Sequence, residues 1–330
     1  MQAVFNTTEL AALILSFARP RDAARLGLTN RFLFDISLPF AWEHVEGVTP
    51  IFKLIQSCEI LRKPDLGDLE IIEVNLPSQL SQEHLSRLQI YAPFIKRLDI
   101  YGDGLEENDN YTVTNTSSLL SYTEGYDLLP NLETVTLNTD YGWNAAFLFW
   151  FKFFASKSLL EVRIVTLDHS EVPFICVPFG TCLVEYATRR CPRIKTLAIL
   201  FEDEEPDHLA HPLEYLASIG PEELLPHALS QAKTLVSLTG SVILFEPDIF
   251  EALGQLPLLE SLEIWYHKSQ IRREISPEEA TQAEDTIFPA LSQLILRNVI
   301  LDAEIIYLWR TYPLVKNLTS LEISSSTYIN

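Results

Sequence analysis

Residues 257–264 read PLLESLEI, and the fold turns on that stretch. Leu259, Leu262 and Ile264 are spaced apolar-x-x-apolar-x-apolar, with Pro257 two positions ahead. An extended chain sends alternate side chains to opposite faces, so Leu262 and Ile264 share one side and Ser261, Glu263 and Trp265 the other. The spacing returns at Ile95/Leu98/Ile100, Leu132/Val135/Leu137, Leu159/Val162/Ile164, Ile194/Leu197/Ile199, Leu291/Leu294/Leu296 and Leu318/Leu321/Ile323. A degraded copy at Leu235/Leu238 has Gly240 in the last place. Proline stands two positions ahead of the first apolar residue in five copies, at Pro93, Pro130, Pro192, Pro257 and Pro289. A single copy in a leucine-rich chain carries no weight, but eight in order predict a repeated strand.

Successive middle positions lie between 24 and 41 residues apart. The intervening stretches 81–92, 144–155, 245–256 and 276–288 carry helical signals. A unit that buries one apolar side cannot stand alone, so the repeats must stack. The pattern resembles the strand segment of a leucine-rich repeat in an irregular form. Regular members of that family repeat every 20–29 residues, so insertions are expected here. The resemblance implies an α/β fold in which residues 49–330 form a right-handed β-α leucine-rich-repeat-like solenoid of about eight strands. Such a solenoid binds partners on its concave face. The register turns Arg97, Tyr101, Arg163, Glu263, Trp265 and Arg297 outward as candidate substrate contacts, with Trp265 the natural anchor.

Residues 1–48 read differently. Leu10, Leu13, Ile14 and Phe17 fall at i, i+3, i+4 and i+7, the spacing of one helix face, and Glu9 favours the start of that helix. The helix is expected to stop near Arg19-Pro20, because a residue before proline resists the α conformation. A second helix opens at Arg21 or Asp22, with Ala23, Leu26 and Leu28 inward. A third spans roughly Arg31–Ser37 and ends before Pro39. Three short helices bury little surface alone and need a neighbour. The ordered set Glu9-Leu10, Ile14-Leu15-x-Phe17, Asp22, Leu26, Leu28, Arg31 and "DISLPFAWEHV" resembles an F-box of the fungal type. This chain has Asn6-Thr7-Thr8 where that family usually has Leu-Pro before the Glu, and Asp22-Ala23 where Asp-Leu is common. The resemblance implies docking onto the Skp adaptor of a cullin–RING ubiquitin ligase through Val4, Phe5, Leu10, Ile14, Leu15, Phe17, Leu26 and Leu28. The remainder of the chain then holds a protein substrate, and no chemistry is done by the chain itself.

Charge separates the two parts. The chain carries 45 acids and 24 bases, a net charge of −21. Residues 1–50 are nearly neutral, so the acidity belongs to the body, and stretches 98–151 and 196–232 contain no Lys or Arg. Such a body repels phosphate backbones and excludes nucleic acid as the expected partner. It steers basic partners inward, or merely keeps the protein soluble. Neither "LAALILSFA" nor "AAFLFWFKFFA" has the length of a membrane span, so no membrane partner is expected. Cys58, Cys176, Cys182 and Cys191 show no paired metal-ligand spacing and read as reduced thiols of a cytoplasmic or nuclear protein.

Catalytic and cofactor motifs are missing from the sequence. There is no GxGxxG, no GxxxxGK[ST], no GxSxG and no HExxH. Asp168-His169-Ser170 resembles a triad only in order, since triad members converge from separate segments. Asp207-His208-x-x-His211 lacks a third metal ligand. No enzyme, metal or cofactor is expected. Two readings remain. In one, the head docks an adaptor and the body selects a substrate. In the other, the chain is a scaffold whose F-box-like start only caps the solenoid, in which case Leu10, Ile14 and Phe17 are covered.

Overall fold

The eight copies of the apolar pattern are all strands in the computed structural model of the chain. The structure describes residues 7–64, 70–100, 110–138, 145–165, 174–202, 224–266, 288–299 and 317–325. The chain divides into two units, residues 1–138 with 149–159, and residues 139–148 with 160–330. The boundary expected at 48/49 falls inside the first unit.

The first unit opens with three helices, α1 (Thr8–Ser16), α2 (Pro20–Gly27) and α3 (Arg31–Trp42). Thr7 holds the N-cap of α1, and Asn30 caps α3 by accepting from the Leu33 N–H at 2.9 Å. The third helix does not stop before Pro39 as expected: it runs through the proline to Trp42. Pro39 and Asp35, whose carbonyl loses its helical donor, both lie on the exposed side, where water replaces the missing bond. Gly27 lets α2 approach α3 closely, because a Cβ there would sit 2.3 Å from Ser37 Oγ.

The unit continues through β1 (His44–Glu46), α4 (Thr49–Phe52), β2 (Glu59–Pro64), β3 (Glu70–Asn75), α5 (Gln82–Leu85) and α6 (Leu88–Tyr91). It then runs through β4 (Arg97–Ile100), β5 (Asn110–Thr114), α7 (Thr116–Gly125), β6 (Thr134–Asn138) and α8 (Ala145–Phe154), of which residues 149–154 belong here. Strand β1 pairs parallel with β4, aligning Val45 with Leu98, and β4 pairs parallel with β6, aligning Leu98 with Val135 and Ile100 with Leu137. A separate sheet joins β2 antiparallel to β3 and β3 parallel to β5. The helical stretch 81–92 is two short helices rather than one. The aromatic run of α8 is core: Phe151 and Phe154 are fully buried, and Phe52 meets Trp150 and Phe154 at ring separations of 5.6 and 6.3 Å. Each buried phenylalanine contributes about 1.5–3 kcal/mol over leaving it in water.

The second unit contains β7 (Glu161–Val165), β8 (Phe174–Cys176), α9 (Val177–Arg190), β9 (Thr196–Ala198), β10 (Leu200–Glu202), α10 (Leu224–Ser230), β11 (Ser237–Ser241), α11 (Pro247–Gly254), β12 (Ser261–Trp265), β13 (Gln293–Val299) and β14 (Ser320–Ser325). Six strands run parallel in the order β7-β9-β11-β12-β13-β14. Their middle apolar residues Val162, Leu197, Leu238, Leu262, Leu294 and Leu321 stand in one row. Strands β8 and β10 form a parallel pair of their own, and α10 packs against both α9 and α11. The fold class is therefore α/β with a predominantly parallel sheet. The helical stretch 276–288 lies outside the described residues, apart from Phe288.

One hydrogen-bond motif explains why the pattern works. In six of the copies the carbonyl of the first variable residue accepts two successive N–H groups from the next copy. Lys96 O binds Glu133 N and Thr134 N, and Lys195 O binds Val236 N and Ser237 N. Val236 O, Glu260 O and Ser292 O repeat the motif in turn. The ladder also reveals a copy the sequence reading missed. Glu43 O accepts from Lys96 N and Arg97 N, so Trp42/Val45/Gly47 is an earlier repeat with tryptophan first and glycine last. Glycine suits that last position, where φ is +76°.

The expected inward row is buried on every strand up to β13, with Leu98, Val135, Val162, Leu197 and Leu262 at 0% exposure. Strand β14 departs from it: Leu321 and Ile323 are 38% and 41% exposed. At Gly240 the absent side chain is replaced from the next turn. Leu244, fully buried, places its Cδ1 2.3 Å from where a Cβ would stand.

Candidate docking surfaces

The three head helices pack through a mix of small residues and three leucines, and leave several large apolar side chains outside. In α1 the buried residues are Ala11 and Leu15. In α2 they are Ala23 and Gly27, and in α3 Leu33, Ser37 and Leu38. At about 100° per residue the Leu10/Leu13/Ile14/Phe17 stripe lies roughly a third of a turn from Ala11 and Leu15. It is exposed: Leu10 44%, Leu13 56%, Ile14 42% and Phe17 84%. Leu28 and Phe32 are also exposed, and Leu26 is half-buried.

Two expectations are corrected here. Leu15, taken as an adaptor contact, is 1% exposed, because its position on α1 turns it toward α3 with Ala11. Leu28, expected inward, follows the last residue of α2 and stays in solvent. Val4 and Phe5 lie outside the described residues. The apolar spacing of the stripe was legible in the sequence; its direction was not, because spacing marks a face without saying which way the face looks.

The head is fastened to the first repeat. Lys96 Nζ donates to Glu43 Oε1 at 3.1 Å, and Trp42 and Tyr91 bring their rings within 4.7 Å. His44 Nε2 lies 2.6 Å from Asp99 Oδ2 across the β1–β4 pair. That hydrogen bond raises the His44 pKa, against burial, which lowers it.

The outward row of the strands is mostly polar, with Ala198, Trp265 and Ile295 among its members. In the first unit Arg97 is exposed and Asp99 half-buried, while Tyr101 lies outside the described residues. In the second unit Arg163 is exposed and pairs with Glu161. Farther along, Trp265 on β12 aligns with Arg297 on β13. Arg297 Nε donates to Glu263 Oε1 at 3.0 Å, and its Nη1 donates to Glu322 on β14. The hydrogen bond to Glu263 is the main cause that raises the Arg297 pKa. Glu263 Oε2 also lies 3.5 Å from Thr239 Oγ1. The sequence placed Glu263, Trp265 and Arg297 on one face; the structure bonds Glu263 to Arg297 and sets Trp265 in register with Arg297, while Glu322 was missed because β14 was read for its apolar residues alone.

No protein-family model matches the chain, and no curated protein matches it.

Cys176, Cys182 and Cys191 are buried, and Cys58 is half-buried. Burial first, and then the Glu59 carboxylate, push the Cys58 thiol up to about 11. Asp168, His169, Ser170, Asp207, His208 and His211 lie outside the described residues. Among the described residues no group of three or more His, Cys, Asp or Glu is placed to hold a metal ion. No described helix is long and apolar enough to cross a membrane.

Proposed function

We propose that the chain is a substrate-recognition adaptor of a Skp–cullin–F-box ubiquitin ligase. The head helices dock the Skp adaptor, and the repeats form a right-handed leucine-rich-repeat-like solenoid that holds a protein substrate in the cytoplasm or nucleus. The chain performs no reaction, and needs no cofactor; it brings a target to the ligase. The observation that carries this reading is the exposure of Leu10, Leu13, Ile14 and Phe17 on a head whose interior is closed by Ala11, Leu15, Ala23 and Gly27. An apolar stripe held in water is a contact surface awaiting a partner. The alternative, a scaffold whose head only caps the solenoid, requires Leu10, Ile14 and Phe17 to be covered; their exposure favours docking.

The test is capture of a purified Skp adaptor by the full chain and by a Leu10→Asp/Ile14→Asp variant. Both positions are exposed, so the variant is expected to keep its melting temperature within a few degrees and lose capture. Failure of the intact chain to capture the adaptor removes this reading and leaves the scaffold.

A further inference from the structure

In the second unit the outward side chains of Glu263, Arg297 and Glu322 meet across three adjacent parallel strands, and Trp265 stands in register with Arg297. Glu263 and Trp265 lie two residues apart on β12, so they share a face. Arg297 aligns with Trp265 on β13, and Glu322 aligns with Ile295 on β14. Glu263 and Glu322 both bond Arg297, which leaves the group with two carboxylates against one guanidinium. Arg297 is spoken for on both sides and has little left to offer a phosphate or a carboxylate. The carboxylates are not used up. Glu322 is 53% exposed, and among the described residues Glu263 Oε2 has only the 3.5 Å approach of Thr239. On the same face Trp265 is half-buried, in register with Arg297.

We infer that this corner binds a lysine or arginine side chain of an extended protein segment. A cation is drawn to a ring face, and here fixed acceptors stand next to the ring. Arg297 does not compete with that role; it locks the carboxylates in place before the ligand arrives, which lowers the ordering cost of binding. The strand positions leading to the corner are Ser237, Ser261, Gln293 and Ser320, and the short side chains of the three serines leave room for an extended backbone to lie along the face. The body's excess of acids over bases steers such a segment toward it and repels an acidic or phosphorylated one. The inference rests on the body being the part that holds a protein partner, and names the chemistry of that partner.

The test is selection of a random peptide display library on three immobilised forms of the full chain: wild type, Glu263→Gln/Glu322→Gln, and Glu83→Gln/Glu251→Gln. The last removes two exposed acids elsewhere and matches the change in net charge. Lys or Arg should be enriched at one fixed peptide position by about tenfold on wild type and on the matched control, and lost on Glu263→Gln/Glu322→Gln. Trp265→Leu, which keeps Glu263, Arg297 and Glu322, should reduce that enrichment as well. Both corner variants are compared by circular dichroism, and Trp265→Leu serves if the double substitution fails to fold. Enrichment of acidic residues, no fixed basic position on wild type, or equal enrichment on all forms overturns the inference. Adaptor capture by the head is a separate readout, so failure here and failure of the docking reading are distinguishable.

Discussion

His44 and Asp99 face each other across the β1–β4 pair with Nε2 and Oδ2 2.6 Å apart, and they join the strand that ends the head to the first long repeat. Their bond raises the His44 pKa above its ordinary value of 6.5 in the folded state. A raised folded pKa stabilises below the unfolded pKa, and the gain is lost as pH rises through the folded value. The His44 side chain is 37% exposed, so solvent limits the gain to about 1 kcal/mol or less. Thermal melts of wild type and His44→Ala should therefore differ more at pH 5.5 than at pH 8.5. Equal differences at the two pH values would show that the pair contributes nothing through its charge.

Gly240→Ala should overpack the second unit. The new methyl meets the buried Leu244 Cδ1 at 2.3 Å and Cγ at 2.9 Å, and the expected cost is about 1–3 kcal/mol. Leu244→Ala should cost about 2–5 kcal/mol by leaving a cavity. The double variant should be less destabilised than the sum, because each change relieves the other. Urea denaturation of the three proteins measures the coupling; strict additivity contradicts the contact.

The head should show a sharp contrast between neighbours in sequence. Leu15→Ala removes a buried side chain and should cost about 2–4 kcal/mol. Leu13→Ala, two residues earlier and 56% exposed, should stay within about 0.5 kcal/mol of wild type. Chemical denaturation checks both, and a costly Leu13→Ala would place that side chain in a covered interface.

Thiol titration should find all four cysteines in guanidinium chloride and react with them only slowly in the native protein at pH 7.5. Three are buried, and the half-buried Cys58 has its thiol pushed up to about 11, leaving little thiolate. The native rate at Cys58 should climb as pH approaches that value. Rapid labelling of native Cys58 at neutral pH contradicts its setting.

The repeated strand was legible because its signal is periodic and physical: Leu98, Val135, Val162 and Leu262 are apolar for the same reason, and all are fully buried. The outward placement of Glu263, Trp265 and Arg297 followed from that register. The copy at Trp42/Val45/Gly47 was hidden because its identity lies in a backbone carbonyl, that of Glu43, which no side chain reports. The passage of α3 through Pro39 was hidden for a related reason. Proline removes one bond from a helix, and the bond here faces water, so packing of Leu33, Ser37 and Leu38 decided the length instead. The sheet of β2, β3 and β5 has no counterpart in the repeat pattern, and the sequence gives it no second copy to be recognised by.

The double hydrogen bond from Lys96 and Arg97 to the Glu43 carbonyl also sets an order in time. The strand that completes the head waits for residues about 53 positions downstream, the separation of the Lys96–Glu43 pair. At ribosomal speeds of about 5–20 residues per second that is a delay of roughly 3–10 seconds, during which the three helices have emerged and β1 has no neighbour. A nascent chain of this protein therefore shows its apolar stripe before the part of the molecule that anchors it, and any early partner of the head meets it unanchored.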